Sequence, residues 1–181
     1  MRSRLRSSRS AVLVLAALAV VLAVTAGLLW LTDRRTDDVK VQGQPMTDAQ
    51  AAGQILASAR QIVEAAQLQQ VTGGYAFVSC KNENEPPYQA AVYLNFLLPQ
   101  NNSVSYLRDV GAALIANGWA PAASTGEHFG QKMTRDGVTA IFYRSVNDTN
   151  FATMRLYGEC RNVADHRNDD PVWREVSDQL G

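Results

Sequence analysis

The chain contains only two cysteines and two histidines in 181 residues, and the short patterns that announce most catalytic chemistry are missing from it. No Gly-x-Ser-x-Gly elbow presents a serine nucleophile, which removes the simplest route to a serine hydrolase. Thr72-Gly73-Gly74 is too short for a phosphate-cradling loop and lacks its lysine. A redox dithiol would place its cysteines close together as Cys-x-x-Cys, whereas Cys80 and Cys160 are far apart. His128 and His166 are also distant in sequence, so a metal site would have to recruit carboxylates. Asp165, Asp169 and Asp170 around His166 are the densest such set, although acidic loops of this kind are more often simply solvated. Glu83 and Glu85 flank Asn84 beside Pro86 and Pro87, with no basic or apolar setting to tune them for acid–base work. The expectation is a protein that is not an enzyme and holds no metal or cofactor.

Charge is absent from one long stretch. Ala11 to Thr32 contains no Asp, Glu, Lys or Arg and is long enough to cross a bilayer as a helix. Arg2, Arg4, Arg6 and Arg9 precede it with no acid among them, whereas the far side opens with Asp33, Arg34, Arg35, Asp37 and Asp38. The positive-inside rule therefore keeps residues 1–10 in the cytoplasm as a basic stub and exports the remainder. The apolar run outlasts a secretory h-region and continues through Leu28, Leu29, Trp30 and Leu31, which favours a retained signal anchor over cleavage near Ala26. No cysteine follows the run, so lipid attachment to an N-terminal cysteine is excluded at this stage. Ala19, Ala23 and Gly27 fall four apart on one helix face, a small-residue seam through which a second membrane helix could approach, though alanine-rich spans also produce such spacings by chance. The predicted location is the cell membrane, single-pass, with the N-terminus cytoplasmic and the C-terminal domain outside.

The overall charge of zero hides an asymmetry. From Asp33 onward there are 13 Lys and Arg against 17 Asp and Glu, and this acidic sign, with the exported location, disfavours a nucleic-acid partner. The length beyond the anchor suits one domain with a core. Both cysteines lie in that part, where an oxidising compartment allows a Cys80–Cys160 disulfide.

Residues 33–46 are polar, carry Gly43 and Pro45, and read as a linker. At Thr47 a capping box, Thr47 to Gln50, opens an amphipathic helix with Ile55, Ala59, Ile62 and Val63 along one face, ended by Thr72-Gly73-Gly74. Tyr75 to Lys81 and Tyr88 to Leu98 read as antiparallel strands. A second helix follows Ser103 and stops at Asn117-Gly118. Asp136-Gly137 marks a hairpin between strands Gln131 to Arg135 and Val138 to Ser145, and a further strand spans about Ala152 to Cys160. The expected fold is α+β: one N-terminal transmembrane helix, then a domain over residues 47–181 in which an antiparallel sheet carries two helices on one face, with a short C-terminal helix docked by Trp173.

Two stretches carry more character than packing demands: Cys80 to Tyr88, where a proline pair stiffens a charged loop, and Tyr157 to Asn162 with the tail that follows it. A disulfide would bring both together, making Tyr88, Arg161, His166 and Trp173 a candidate interaction surface, since aromatics and Arg dominate interface energetics. The competing reading is local ion pairing and a Trp173 that only docks the tail.

Taken together, the basic stub, the anchor without a lipobox, Cys80-Lys81-Asn82-Glu83-Asn84-Glu85-Pro86-Pro87-Tyr88, the Leu156-to-Arg161 run and the Asp165-to-Trp173 tail resemble small actinobacterial single-pass cell-envelope proteins with no assigned activity. The resemblance implies an envelope location and a single α+β domain, and it carries over no catalytic residue. The favoured function is a non-enzymatic anchored domain, held in the bilayer through residues 11–32, that binds another envelope or membrane protein as an accessory subunit. A small-ligand-binding domain with a pocket lined by Tyr93, Phe96, Phe142 and Tyr157 is the alternative, and a metal-dependent hydrolase around His128 or His166 the third reading.

Overall fold

The computed structural model describes residues 41–180 apart from 42, 82, 83, 100, 102 and 124–129. The predicted span 11–32, with Ala19, Ala23 and Gly27, lies outside those residues, as do His128 and Glu83. Among the described residues no helix is long and apolar enough to cross a membrane. The transmembrane-plus-sheet fold expected above is therefore corrected to an α+β domain, a seven-stranded antiparallel sheet with two amphipathic helices.

Helix α1 runs Asp48–Ala65 and begins on the predicted capping box: Gln50 N–H donates to Thr47 Oγ1 at 3.2 Å and Thr47 N–H to Gln50 Oε1 at 2.8 Å. Ala51, Ile55, Ala59 and Ile62 recur on its buried face. The helix stops well before Gly73-Gly74, which belong to strand β1 (Thr72–Ser79). These glycines serve close approach rather than helix termination: a Cβ on Gly73 would lie 2.4 Å from the Tyr93 carbonyl oxygen, and one on Gly74 would lie 2.5 Å from Trp173 Cε2.

Strand β2 (Tyr88–Leu97) pairs with β1 in the register Tyr75 to Val92. Helix α2 (Ser103–Ala116) buries Val110, Gly111 and Leu114 and gives way at Gly118, whose φ of +85° is the left-handed conformation of a helix end. Trp119 then turns inward, its Nε1–H donating to Gln61 of α1 at 3.3 Å. After the two-residue β3 (Ala120–Pro121), strands β4 (Gln131–Arg135) and β5 (Val138–Arg144) form the expected hairpin. Its turn residues Asp136 and Gly137 both have positive φ, as a type I′ turn requires. Strand β6 is Phe151–Tyr157.

The expected C-terminal helix is replaced by strand β7 (Arg174–Glu175) and one turn of 3-10 helix at Ser177–Gln179. The tail is claimed by the sheet edge: β7 pairs with β1, Val176 N–H donates to the Gly73 carbonyl at 2.9 Å, and Gly73 N–H donates to Ser177 Oγ at 2.8 Å. Backbone donors committed to an edge strand cannot also close helical turns. The strand order is β3-β4-β5-β6-β2-β1-β7.

Strand alternation divides the sheet into two faces. The inner face, with Val92, Leu94, Phe96, Phe142, Met154 and Leu156, packs with both helices into one core. Val176 and Leu180 of the tail close the same core.

Candidate functional site

The disulfide end of the sheet is the first place where the sequence pointed. Cys80 and Cys160 are bonded, with Cα atoms 6.0 Å apart. Cys80 follows β1 and Cys160 follows β6, and since β2 lies between those strands, the bridge reaches across the end of β2. The chain beyond Cys160 is then laced into place: Tyr88 N–H donates to the Asn162 carbonyl at 2.6 Å, Asn162 N–H returns to Tyr88 at 3.1 Å, and Met46 N–H donates to the Arg161 carbonyl at 2.8 Å.

Beneath this lacing lies a buried polar cluster. The fully buried Asn162 donates from Nδ2 to Asp48 at 2.8 Å and accepts from Ala164 N–H at 2.8 Å. The His166 side chain, 3% exposed, stacks on Phe77 with ring centroids 3.9 Å apart and meets the Tyr88 ring edge-on at 5.0 Å. Its Nδ1 lies 2.9 Å from Asp169, and its Nε2 lies 3.4 Å from Asp48 at the start of α1. Tyr88 is itself buried and donates its hydroxyl to the Asn84 carbonyl at 2.9 Å. Arg161 is tied to Glu159 at 3.1 Å and to the Gln44 carbonyl at 2.7 Å. On the surface, Arg167 grips Asp165 in a forked ion pair at 2.6 Å and, with its backbone N–H, holds that carboxyl down at about 2. Of the residues singled out in the sequence, Tyr88 and His166 touch through their rings, while the polar atoms of all three are taken up by other neighbours: Tyr88 by Asn84, Arg161 by Glu159 and Gln44, and His166 by Asp169 and Asp48. Among the described residues no group of three or more His, Cys, Asp or Glu is placed to hold a metal.

Trp173 lies elsewhere, on the outer face of the sheet. It covers Gly74, and its ring sits 5.8 Å from that of Tyr93. The strand registers place Lys132 (β4), Ile141 (β5), Arg155 (β6), Tyr93 (β2) and Gly74 (β1) in one row across this face. Arg155 stands at the centre, its guanidinium 5.3 Å from the Tyr93 ring centroid and 5.8 Å from that of Tyr143. Tyr157, two residues along β6, meets Tyr93 edge-on at 6.4 Å. Burial alone would lower the Arg155 pKa, but Tyr143 and the Tyr157 hydroxyl outweigh it and hold the group above its ordinary value. Burial and the hydrogen bond with Tyr157 raise Tyr93. Tyr93 and Tyr157 face away from the core that contains Phe96 and Phe142, so these four residues cannot line one pocket.

The fold and this outer surface define a small disulfide-stapled α+β domain in which, among the described residues, neither helix covers the sheet face that carries the tyrosines, Trp173 and Arg155. Residues 47–179 match the family model "Putative lipoprotein LppJ", and the chain belongs to that family. It is 40% identical over 137 residues to proteins of the same name from Mycobacterium tuberculosis (strains CDC 1551 / Oshkosh and H37Rv) and Mycobacterium bovis, over 75% of this chain and 72% of theirs. No solved structure matches the chain. The resemblance to a small actinobacterial envelope family holds at that level. The lipoprotein name belongs to the relatives; in this chain both cysteines are spent on the disulfide.

Proposed function

We propose that the domain is a non-enzymatic, membrane-associated component of the cell envelope that binds another envelope protein through the outer face of its sheet. One observation carries the reading: four large aromatic side chains and an arginine share the sheet face that neither helix covers. A half-covered antiparallel sheet ordinarily alternates apolar inside with small polar outside. Tyr, Trp and Arg are instead the residues most enriched where binding energy concentrates. The disulfide end, whose Tyr88, Arg161 and His166 side chains are already engaged within the domain, supports this face as a scaffold and does not itself receive the partner. The relatives' lipoprotein name supports a location at the membrane.

A photoreactive side chain placed at Ile141, on the outer face, and another at the exposed Ala112 of α2 would test the reading in the native envelope. A single adduct of defined mass from position 141, with none from position 112, is expected. The same products from both positions would refute it.

A further inference from the structure

We propose that the partner docked on this face presents an acidic segment, and that Arg155 is the residue that reads its carboxylate. The inference rests on the docking role proposed above and names the chemistry of the other side. Among the described residues Arg155 is in no ion pair, although five others are formed elsewhere on the domain. Its Nε is buried with no hydrogen-bond acceptor, and the acceptor its guanidinium does have is a neutral one, the Tyr157 hydroxyl. A guanidinium carries five N–H donors in a planar fork matched to a carboxylate, and an arginine left without one is short of acceptors.

The surroundings hold that fork ready. Tyr93 and Tyr143 flank it, their ring centroids 5.3 and 5.8 Å from the guanidinium carbon. Lys132 lies two strands away in the same row and adds a second positive charge. The acid at that register is Glu175 on β7, three strand spacings or ~14 Å from Arg155. Its carboxylate is already engaged by Ser177 N–H and Oγ, which hold its pKa below the usual range. A cationic centre therefore sits on a polypeptide that is net acidic beyond residue 32, and complementary charge selects an acidic partner by steering and by pairing. The face is the open side of a sheet, with its contact residues spread over five strands, so an extended protein segment fits it better than a small molecule, which a concave site would enclose.

The test uses the full chain in mild detergent, titrated with poly-L-glutamate, with poly-L-lysine and with uncharged dextran, in low and high salt. Poly-L-glutamate alone is expected to bind, and more weakly as salt rises. Arg155→Gln should weaken it at least tenfold, Arg155→Lys should fall between the two because it keeps charge but loses the fork, and Arg60→Gln on α1 should match the unaltered protein. Equal poly-L-glutamate binding by Arg155→Gln, or dextran binding indifferent to that change, would overturn the proposal. If poly-L-glutamate fails while the Ile141 adduct still forms in Arg155→Gln, the acidic partner is refuted and the docking face stands. If the adduct is absent from the unaltered protein as well, the docking reading has failed with it.

Discussion

Replacing Cys80 by Ser tests whether the bridge across the end of β2 is a main source of the domain's stability. The cysteines are 80 residues apart, and in the chain-entropy model a loop of that length costs the unfolded chain roughly 15 cal/mol/K, or about 4.5 kcal/mol at room temperature. Small domains are stable by only about 5–15 kcal/mol in total. The hydrogen bonds that lace Asn162 to Tyr88 and Arg161 to Met46 remain available to the variant, so the loss acts mainly through the unfolded state. For a domain of this size one kcal/mol corresponds to roughly 3 °C in melting temperature. A fall of roughly 10–15 °C is expected by circular dichroism. Cys160→Ser and the double variant should show the same fall, and reductant should reproduce it in the unaltered protein only. A decrease of less than about 3 °C in all three variants would refute the entropic account.

Three further outcomes follow from particular contacts. Gly74→Val should cost about 1–3 kcal/mol in urea unfolding and shift tryptophan emission to the red, because the new side chain occupies the space of Trp173 and the Arg174 carbonyl; unchanged emission would place Trp173 elsewhere. His166→Ala should cost about 2–4 kcal/mol by the same assay, since it empties the stack on Phe77 and leaves Asp169 without its 2.9 Å partner. The Asp165 carboxyl should titrate at about 2 by NMR and return towards 3.8 in Arg167→Ala. Its pKa is depressed in the folded chain, so its contribution is present at neutral pH and fades as pH falls through about 2; a titration unmoved by the substitution would refute the pairing.

Local chemistry accounts for what the sequence could reveal of the fold. Thr47 and Gln50 cap α1 as a box, and Asp136-Gly137 turns the β4–β5 hairpin, because each signal is complete within four residues. The errors lie where distant contacts decide. Gly73-Gly74 looks like a helix terminator until Tyr93 and Trp173 are seen to need the room. The last residues carry a weak helical pattern, but β1 offers them an open edge, and pairing there prevails over local preference. The predicted span 11–32 lies outside the described residues, and the helices that are described carry one buried and one polar face.

The candidate site was harder to read for the same reason. The aromatic and charged residues near the cysteines attract notice in a linear reading, yet burial turns Tyr88 and His166 into internal supports. The outer face has a signal within single strands: in β6, Ala152, Met154 and Leu156 alternate with Thr153, Arg155 and Tyr157, so a large aromatic and an arginine stand where small polar residues would suffice. What no single strand contains is the grouping. Tyr93 reaches Arg155 only through the pairing of β2 with β6, strands separated in sequence by α2 and the β4–β5 hairpin, and a one-residue slip in that register would send Tyr93 into the core. The buried inner row, Val92, Leu94 and Phe96 against Leu156, Met154 and Ala152, is what forbids the slip. The core therefore sets the register that places Tyr93 opposite Arg155, and the binding face depends on packing on the other side of the sheet.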